Sequence, residues 1–481
     1  MKRSCALGID LGTSAVKLIA ISRNGRVVAS AREPYDTIRS CEGQAEQKWE
    51  HWLSALSRAA HKIHSTRQLR VEAIGLTGQM PTLVVLHGRR PMGRAITWQD
   101  NRADNWASGR LNYELRQTIY RRTGVMVDGR YLAPMFGFHY PRRTKGSAIR
   151  SAKDFLLHAL TGVSATDPST ASGYGVYNLK SGSWDQELCS FWNIVVDQLP
   201  PVLSSFYSEP LGRAGSKIVG CAPGTPVVLG CADSAAGVYA LNGNVANAKT
   251  ANILTGSSTV IIKYDLAPRW DKQGRFLVTP LAVDHTYGRE ADLLASGSAR
   301  EWLQELFGRK TDKDQHSLWR SAHEIAPGAN GLLFAPYLAG GEQGVLWNPN
   351  LTGTLIGLTC AHRRAHIARA LLEGMSFEIR RCLDAFETKS ITSVRVTGWI
   401  TQSSSDLQLL ADILGRPVEG WKLESASAIG AALLTGLVDQ HNYFMNTKTV
   451  VLDPTKNSHC YRDLYAKYIR RFHRFSTRSG S

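Results

Sequence analysis

The same short pattern occurs twice in this chain. Residues 6 to 20 read as two apolar strands folded over a polar Gly12-Thr13-Ser14 turn, and residues 251 to 262 repeat the pattern over Gly256-Ser257-Ser258. One such hairpin fits many β-rich folds. Two of them, each opening one half of a 481-residue chain, indicate a duplicated domain. Each tip is built of Gly, Ser and Thr, whose backbone N–H groups and hydroxyls can wrap an anion. The pattern predicts a nucleotide held in a cleft between two related lobes.

The chain is too long for one hydrophobic core and suits two domains. Three short strands are expected between Cys5 and Tyr35, with Asn24-Gly25 at the second hairpin. A helix is expected from Glu46 to His64, with Trp49, Trp52, Leu53 and Leu56 on one face. Strands follow at 71–77, 82–86, 95–98 and 227–230, and residues 101–219 form an insertion of helices and loops that shapes a pocket. The first half closes near residue 245, giving an N-terminal domain over 1–245 and a C-terminal domain over 246–481. The second half repeats the order: hairpin, helix at 300–307, strand at 332–337, long helix at 362–387, strand at 394–397 and helix at 406–414. A last helix, 427–437, is rich in small residues, and Gly430 with its alanines permits close approach. Strands alternating with helices make this an α/β protein.

Composition removes several classes of function. The eight cysteines are scattered without C-x-x-C spacing, which excludes a zinc site or disulfide framework and fits reduced, buried thiols in a cytoplasmic protein. Asp10 interrupts the apolar run after Met1-Lys2-Arg3, so that run reads as a first strand and not a signal peptide. The longest small-and-apolar stretch, Ala426 to Val438, falls short of the ~20 residues that cross a bilayer. The net charge is +17, but neither Arg142-Arg143-Thr144-Lys145 nor the tail from Lys467 to Arg478 forms a nucleic-acid motif. The expected partners are therefore small molecules, with no nucleic acid and no membrane; a homodimer is compatible with the sequence.

Two aspartates stand out. Asp10 ends a strand and faces the Gly12-Thr13-Ser14 turn. A carboxylate beside a phosphate cradle needs a cation between them, which suggests Mg²⁺ held by Asp10 through water. The alternative is an aspartate that caps a turn. Asp233 sits where a strand hands over to a helix. It reads either as an N-cap or as a general base that takes a proton from an acceptor hydroxyl, and a helix N-terminus would keep it ionised at neutral pH. One base for an alcohol and one metal-side acid are what phosphoryl transfer requires. Trp98-Gln99-Asp100-Asn101-Arg102 carries an aromatic, an acid and a base after a strand, which suits a polyol or a salt-bridged surface turn. Gln79-Met80 is a weaker signal of the same kind. His362 and His366 lack an intervening glutamate and have Arg363 and Arg364 beside them, which disfavours a metal. There is no G-x-x-x-x-G-K-[ST] and no G-x-S-x-G.

With these residues in view, the chain resembles the FGGY carbohydrate kinases, and among them the xylulose kinases, over nearly its whole length. The resemblance rests on residues 8–14, Gly78-Gln79-Met80, 98–102, Lys153-Asp154-Phe155-Leu156, Gly230-Cys231-Ala232-Asp233, Gly256-Ser257-Ser258, Leu410-Ala411-Asp412-Ile413 and 428–432. It implies two ribonuclease-H-like lobes of the actin/hexokinase/heat-shock ATPase type, closing over ATP and a sugar in the cleft between them. It implies that Asp233 is the catalytic base and Asp10 the magnesium-side acid. Gly12, Thr13, Ser14, Gly256 and Ser257 would hold phosphates, and Gly398 would lie on the adenosine side. Gln79, Met80, Pro81, Trp98, Asp100, Arg102 and Asp233 would surround the sugar. ATP, Mg²⁺ and a small ketose such as D-xylulose, or a related pentose or polyol, are the implied ligands. A catalytically weakened member that binds sugar or nucleotide is the competing class. Four positions depart from the xylulose-kinase pattern: Pro81 replaces His, Ser234 follows the catalytic Asp, Gly398-Trp399-Ile400 replaces Gly-Gly-Gly, and Gly340-Gly341-Glu342-Gln343 lacks a following Arg-Thr-Pro. The first two bear on the sugar and the last two on the nucleotide. Trp399 and Ile400 must point away from the adenine slot or reshape it.

Overall fold

Each hairpin anchors a sheet of its own. The computed structural model describes residues 3–66, 69–141, 146–244, 248–307, 312–339, 344–348, 350–386 and 391–472. The boundary expected at 245, the Arg142–Lys145 run, Gly340–Gln343 and the tail beyond 472 lie outside these. The first sheet has six strands in the order Ser208–Pro210, Pro226–Ala232, Leu69–Gly78, Arg3–Leu11, Ala15–Ser22 and Val27–Pro34. Its hairpin pairs Asp10 with Lys17, and Arg3–Leu11 runs parallel to Leu69–Gly78, which runs parallel to Pro226–Ala232. The second sheet has seven strands, in the order Leu277–Pro280, Tyr287–Leu293, Thr259–Asp265, Thr250–Thr255, Ser393–Gly398, Val418–Trp421 and Thr449–Leu452. Here too the first hairpin strand runs parallel to a later strand, Ser393–Gly398, and that one to Val418–Trp421. The duplication read from the two tips is thus a duplication of sheet topology. The architecture is α/β, with two ribonuclease-H-like lobes of the actin/hexokinase/heat-shock ATPase type.

The central strands are covered on both faces, so Cys5, Ala6, Leu7 and Ile9 are all buried and the strand reads as one apolar run. All eight cysteines are free and five are buried, and burial pushes the Cys5 thiol up to about 11. Among the described residues no helix is long and apolar enough to cross a membrane.

One element differs from expectation in a way that matters for the site. The helix expected from Glu46 begins at Trp49; Glu46 and Gln47 form a short strand that pairs with Ala95–Thr97. The apolar face runs as expected from Trp49, which with Leu53 is partly buried against the core, through the fully buried Trp52, Leu56, Ala59 and Ile63. Gln47 is also needed elsewhere: its Nε2 donates to the carbonyl of Thr13 at 2.7 Å, and its Oε1 accepts from Trp52 Nε1 at 2.9 Å.

The halves share a side-chain core, in which Ile19 and Ile21 pack with Ile429 and Leu433, and at three glycines they also meet backbone to backbone. The helix Ala426–Leu434 lies on the first sheet, and a Cβ at Gly8 would stand 1.8 Å from the carbonyl oxygen of Ala428. A Cβ at Gly75 would stand 1.8 Å from that of Ala431, and one at Gly430 would stand 1.9 Å from that of Ala236 in the helix Asp233–Asn242. Overpacking against side chains costs about 1–3 kcal/mol because they can yield. Backbone cannot yield so easily. Gly430→Ala is expected to lower the urea midpoint by the equivalent of more than ~3 kcal/mol; an unchanged midpoint would show that the two helices separate freely.

Candidate active site

Three parallel strands of the first sheet end at one edge, where Leu11 pairs with Gly78 and Gly78 with Ala232. The carboxyl edge of an α/β sheet is where ligands ordinarily bind. Asp10, the Gln79-Met80-Pro81 segment and Asp233 therefore arrive together. Asp10 is buried; its Oδ2 lies 3.4 Å from Lys17 Nζ, and its Oδ1 has no hydrogen-bond partner. The adjoining turn is braced from three sides. Trp98 Nε1 donates to Thr13 Oγ1 at 3.1 Å, Gln47 to the carbonyl of Thr13, and the Tyr35 hydroxyl to that of Gly12. Ser14 stays exposed at the tip.

Asp233 is the first residue of its helix and not the cap; Ala232 holds the cap position. Its Oδ1 accepts from the Ser234 N–H at 2.9 Å. The helix terminus does not keep the acid in its usual range. Burial, and after it the charge of Asp10, pushes the Asp233 carboxyl up to about 7.

Asp233 opens into a cavity of about 140 Å³ lined by both lobes. Thr13, Met80, Pro81, Trp98, Arg130 and Ser172 come from the first half, and Ser258, Thr279, Glu290 and Asp292 from the second. Glu290 accepts from Thr279 Oγ1 at 2.7 Å, and burial raises its carboxyl against the pull of Thr279 and Ser234. The guanidinium of Arg130 donates through Nε and Nη2 to Asp128. Three carboxylates and one engaged arginine give this cavity an acidic lining suited to hydroxyl donors.

A second cavity, about 650 Å³, lies on the other side of the second hairpin tip. Thr255, Gly256 and Ser257 line it, whereas Ser258 lines the first, so the turn is the wall between the two. The tip is clamped from behind: Gly297 and Ser298 N–H groups donate to the carbonyls of Gly256 and Ser257 at 3.1 Å each. Gly256 and Ser257 themselves are exposed. Farther in, the Arg300 guanidinium stacks at 4.3 Å on both Trp319 and Trp399 and pairs with Asp406 at 2.8 Å, which also takes His323 Nε2 at 2.7 Å. Ile400 points into the core at 3% exposure, while Trp399 lines the cavity. Of the two bulky residues, then, one points into the core and the other forms part of the cavity wall. Gly398 lies beneath it at φ +97°, where a Cβ would meet the carbonyl oxygen of Thr255 at 1.8 Å.

Three expected sugar-side residues stand elsewhere. Asp100 is 1% exposed and accepts from the Ala45 N–H at 2.9 Å and from Arg102 at 2.6 Å. Burial acts to raise its carboxyl, but His139, Arg102 and the Ala45 N–H outweigh this and hold it down to about 2. Arg102 reaches on to Glu46 at 2.7 Å. This pair braces the loop and does not line the first cavity, because each partner satisfies the other. Gln79 is buried with its Nε2 on Gln47 at 2.9 Å, also off the cavity. Pro81 does line the wall. The sequence reading missed Arg130, Glu290 and Asp292. A signal existed for the acids, since residues two apart on the strand Tyr287–Leu293 share one face.

Among the described residues no cluster of three His, Cys, Asp or Glu could hold a metal alone. His362 and His366 spend Nδ1 on the backbone N–H groups of Thr359 and Arg363. Mg²⁺ ordinarily takes only one or two carboxylates and fills its shell with phosphate and water. The buried, unpartnered Asp10 Oδ1 beside the turn fits that demand.

The family model described as the FGGY family of carbohydrate kinases, N-terminal domain, matches residues 5–240, and its C-terminal counterpart matches 251–437. The chain is 30% identical to a xylulose kinase of Bacillus subtilis (strain 168), over 89% of this chain and 87% of that one. It is 28% identical to a gluconokinase of the same organism, over 91% and 88%. Among solved structures, a gluconate kinase from Lactobacillus acidophilus superposes with a TM-score of 0.89 at 26% identity, covering 99% of both chains.

The electrostatic link between the two aspartates is testable without any assay of turnover. Removing the charge of Asp10 should let the Asp233 carboxyl fall from about 7. A carboxyl-carbon NMR titration of Asp10→Asn should show this lower midpoint; an unchanged one would mean that burial alone sets the shift.

Proposed function

The chain belongs to the FGGY family of carbohydrate kinases, and we propose that it transfers the γ-phosphate of ATP to a terminal hydroxyl of a small neutral ketose or polyol, D-xylulose or a related pentose first among them. The observation that carries this reading is the hairpin tip with a cavity on each side. A nucleotide in the larger cavity would bring its phosphates to Gly256 and Ser257 and, across the cleft, to Gly12, Thr13 and Ser14. An acceptor in the smaller cavity would lie against Asp233. Mg²⁺, held on the Asp10 side, would supply charge neutralisation for the phosphates.

Asp233 acts as the general base in this scheme. Its carboxylate takes the proton of the acceptor hydroxyl as that oxygen attacks phosphorus, and a base poised near neutrality is well matched to the task. The proton is available only to the ionised form. The value of kcat/KM should therefore fall as pH drops below about 7.

The acceptor class follows from charge. Asp233, Glu290 and Asp292 can accept hydrogen bonds from hydroxyls, and Arg130 is already engaged by Asp128. A sugar acid would set its carboxylate in a cavity that already disfavours negative charge, since it holds the Asp233 carboxyl up at about 7 and raises that of Glu290. A coupled ADP-release assay over ketoses, polyols and aldonates is expected to rank neutral acceptors first. Asp233→Ala should lower kcat ~10²–10⁴-fold. Preferential turnover of D-gluconate, or near-normal turnover by Asp233→Ala, would refute the respective part of the reading.

Pro81 offers the acceptor no side-chain hydrogen bond, so one hydroxyl contact common in xylulose kinases is missing. Sites that lack such a contact discriminate weakly against analogues without the hydroxyl. The enzyme should accept several pentoses with similar kcat/KM, and Pro81→His should shift preference toward D-xylulose. A strong native preference for D-xylulose, unmoved by that substitution, would assign sugar choice to other residues.

A further inference from the structure

The strand that delivers Asp233 carries an irregularity in its ladder just before the aspartate. Its pairing with Leu69–Gly78 shifts register between Val228 and Cys231, where Gly230 adopts φ +67° with a would-be Cβ 1.7 Å from the carbonyl oxygen of Leu76. The N–H of Ala232, the residue before Asp233, donates to the side-chain hydroxyl of Ser169 at 2.9 Å. Ser169 in turn donates through its hydroxyl to Asp167, which also accepts from the Ser169 N–H at 3.0 Å and from Ser205 Oγ at 3.4 Å. Behind Asp167 stands Lys153, 1% exposed, with Nζ 3.1 Å from Asp167, 3.2 Å from Asp154 and 3.3 Å from the carbonyl oxygen of Leu229.

A buried ammonium between two buried carboxylates is a poor way to gain stability, since well-packed apolar residues often do as well. What this arrangement supplies is a fixed geometry at two places. Asp167 caps the short helix Pro168–Ser172, whose last residue lines the acceptor cavity. Through Ser169 it also fixes the backbone that carries Asp233.

We propose that Lys153, Asp167 and Ser169 are positioning residues for Asp233, holding its carboxylate in register with the acceptor cavity through the Ala232 N–H. The proposal rests on Asp233 being the base. A misplacement of ~1 Å at a reacting group can cost about 100-fold in rate. Ser169→Ala removes a single oxygen. In the full-length protein, with ATP, Mg²⁺ and the best acceptor from the panel above, it should lower kcat by about tenfold or more while the acceptor KM stays within about twofold. The decisive arm is a double-mutant cycle. In an Asp233→Ala background the same substitution should cost nothing further, because a residue that acts through the base has nothing left to position. An equal loss in both backgrounds, or near-normal kcat in Ser169→Ala alone, would overturn the proposal. If Ser169→Ala does not fold, Ser205→Ala, which removes only one partner of Asp167, enters the same cycle with the same criteria. Normal turnover by Asp233→Ala itself would remove the premise, and the proposal with it.

Discussion

The contact on which the rest depends is that of the helix Ala426–Leu434 with the glycine notches at Gly8 and Gly75. It brings an element of the second half onto the sheet of the first, and Gly430 lets the same helix meet the backbone at Ala236, one turn into the helix that Asp233 begins. A rigid backbone seam there sets how the carboxyl edges of the two sheets face each other. A side chain at any of these glycines would run into backbone.

Inside that cleft, competing electrostatic influences have a clear winner. A helix N-terminus favours an ionised aspartate by typically 0.3–1 kcal/mol at a surface. Burial, together with the nearby charge of Asp10, overrides it and brings Asp233 to about 7. At Asp100 the outcome is reversed, because Arg102, His139 and the Ala45 N–H are all within reach of its carboxylate. Two aspartates of one lobe thus differ in proton affinity because one is met by an arginine, a histidine and an N–H, whereas the other is buried beside a like charge.

Much of this was legible in the sequence. The Gly-Ser-Thr tips repeat in sequence because their topology repeats, and the strands and helices that carry Asp10 and Asp233 follow directly from apolar periodicity. Long-range satisfaction was not legible. Nothing local in Trp98-Gln99-Asp100-Asn101-Arg102 says that Asp100 will be filled by the backbone of Ala45, 55 residues away, and so withdrawn from the cavity. Nor does any local pattern place Glu290 and Asp292, from the second half, against residues of the first. The early strand at Glu46–Gln47 was hidden for the same reason: Gln47 answers to Thr13, Trp52 and Gln79, not to its neighbours in the chain.

The partition made by Gly256-Ser257-Ser258 carries an implication for how such a protein can change. No residue lines both cavities; they adjoin only across this tip. Alterations around Arg130, Glu290 or Pro81 leave the Arg300, Trp319 and Trp399 stack untouched, and the reverse holds as well. Selection can therefore revise what is recognised on one side without renegotiating the other. The two sides meet only at this turn, with Gly256 and Ser257 on one cavity and Ser258 on the other, so a change there is the one that bears on both.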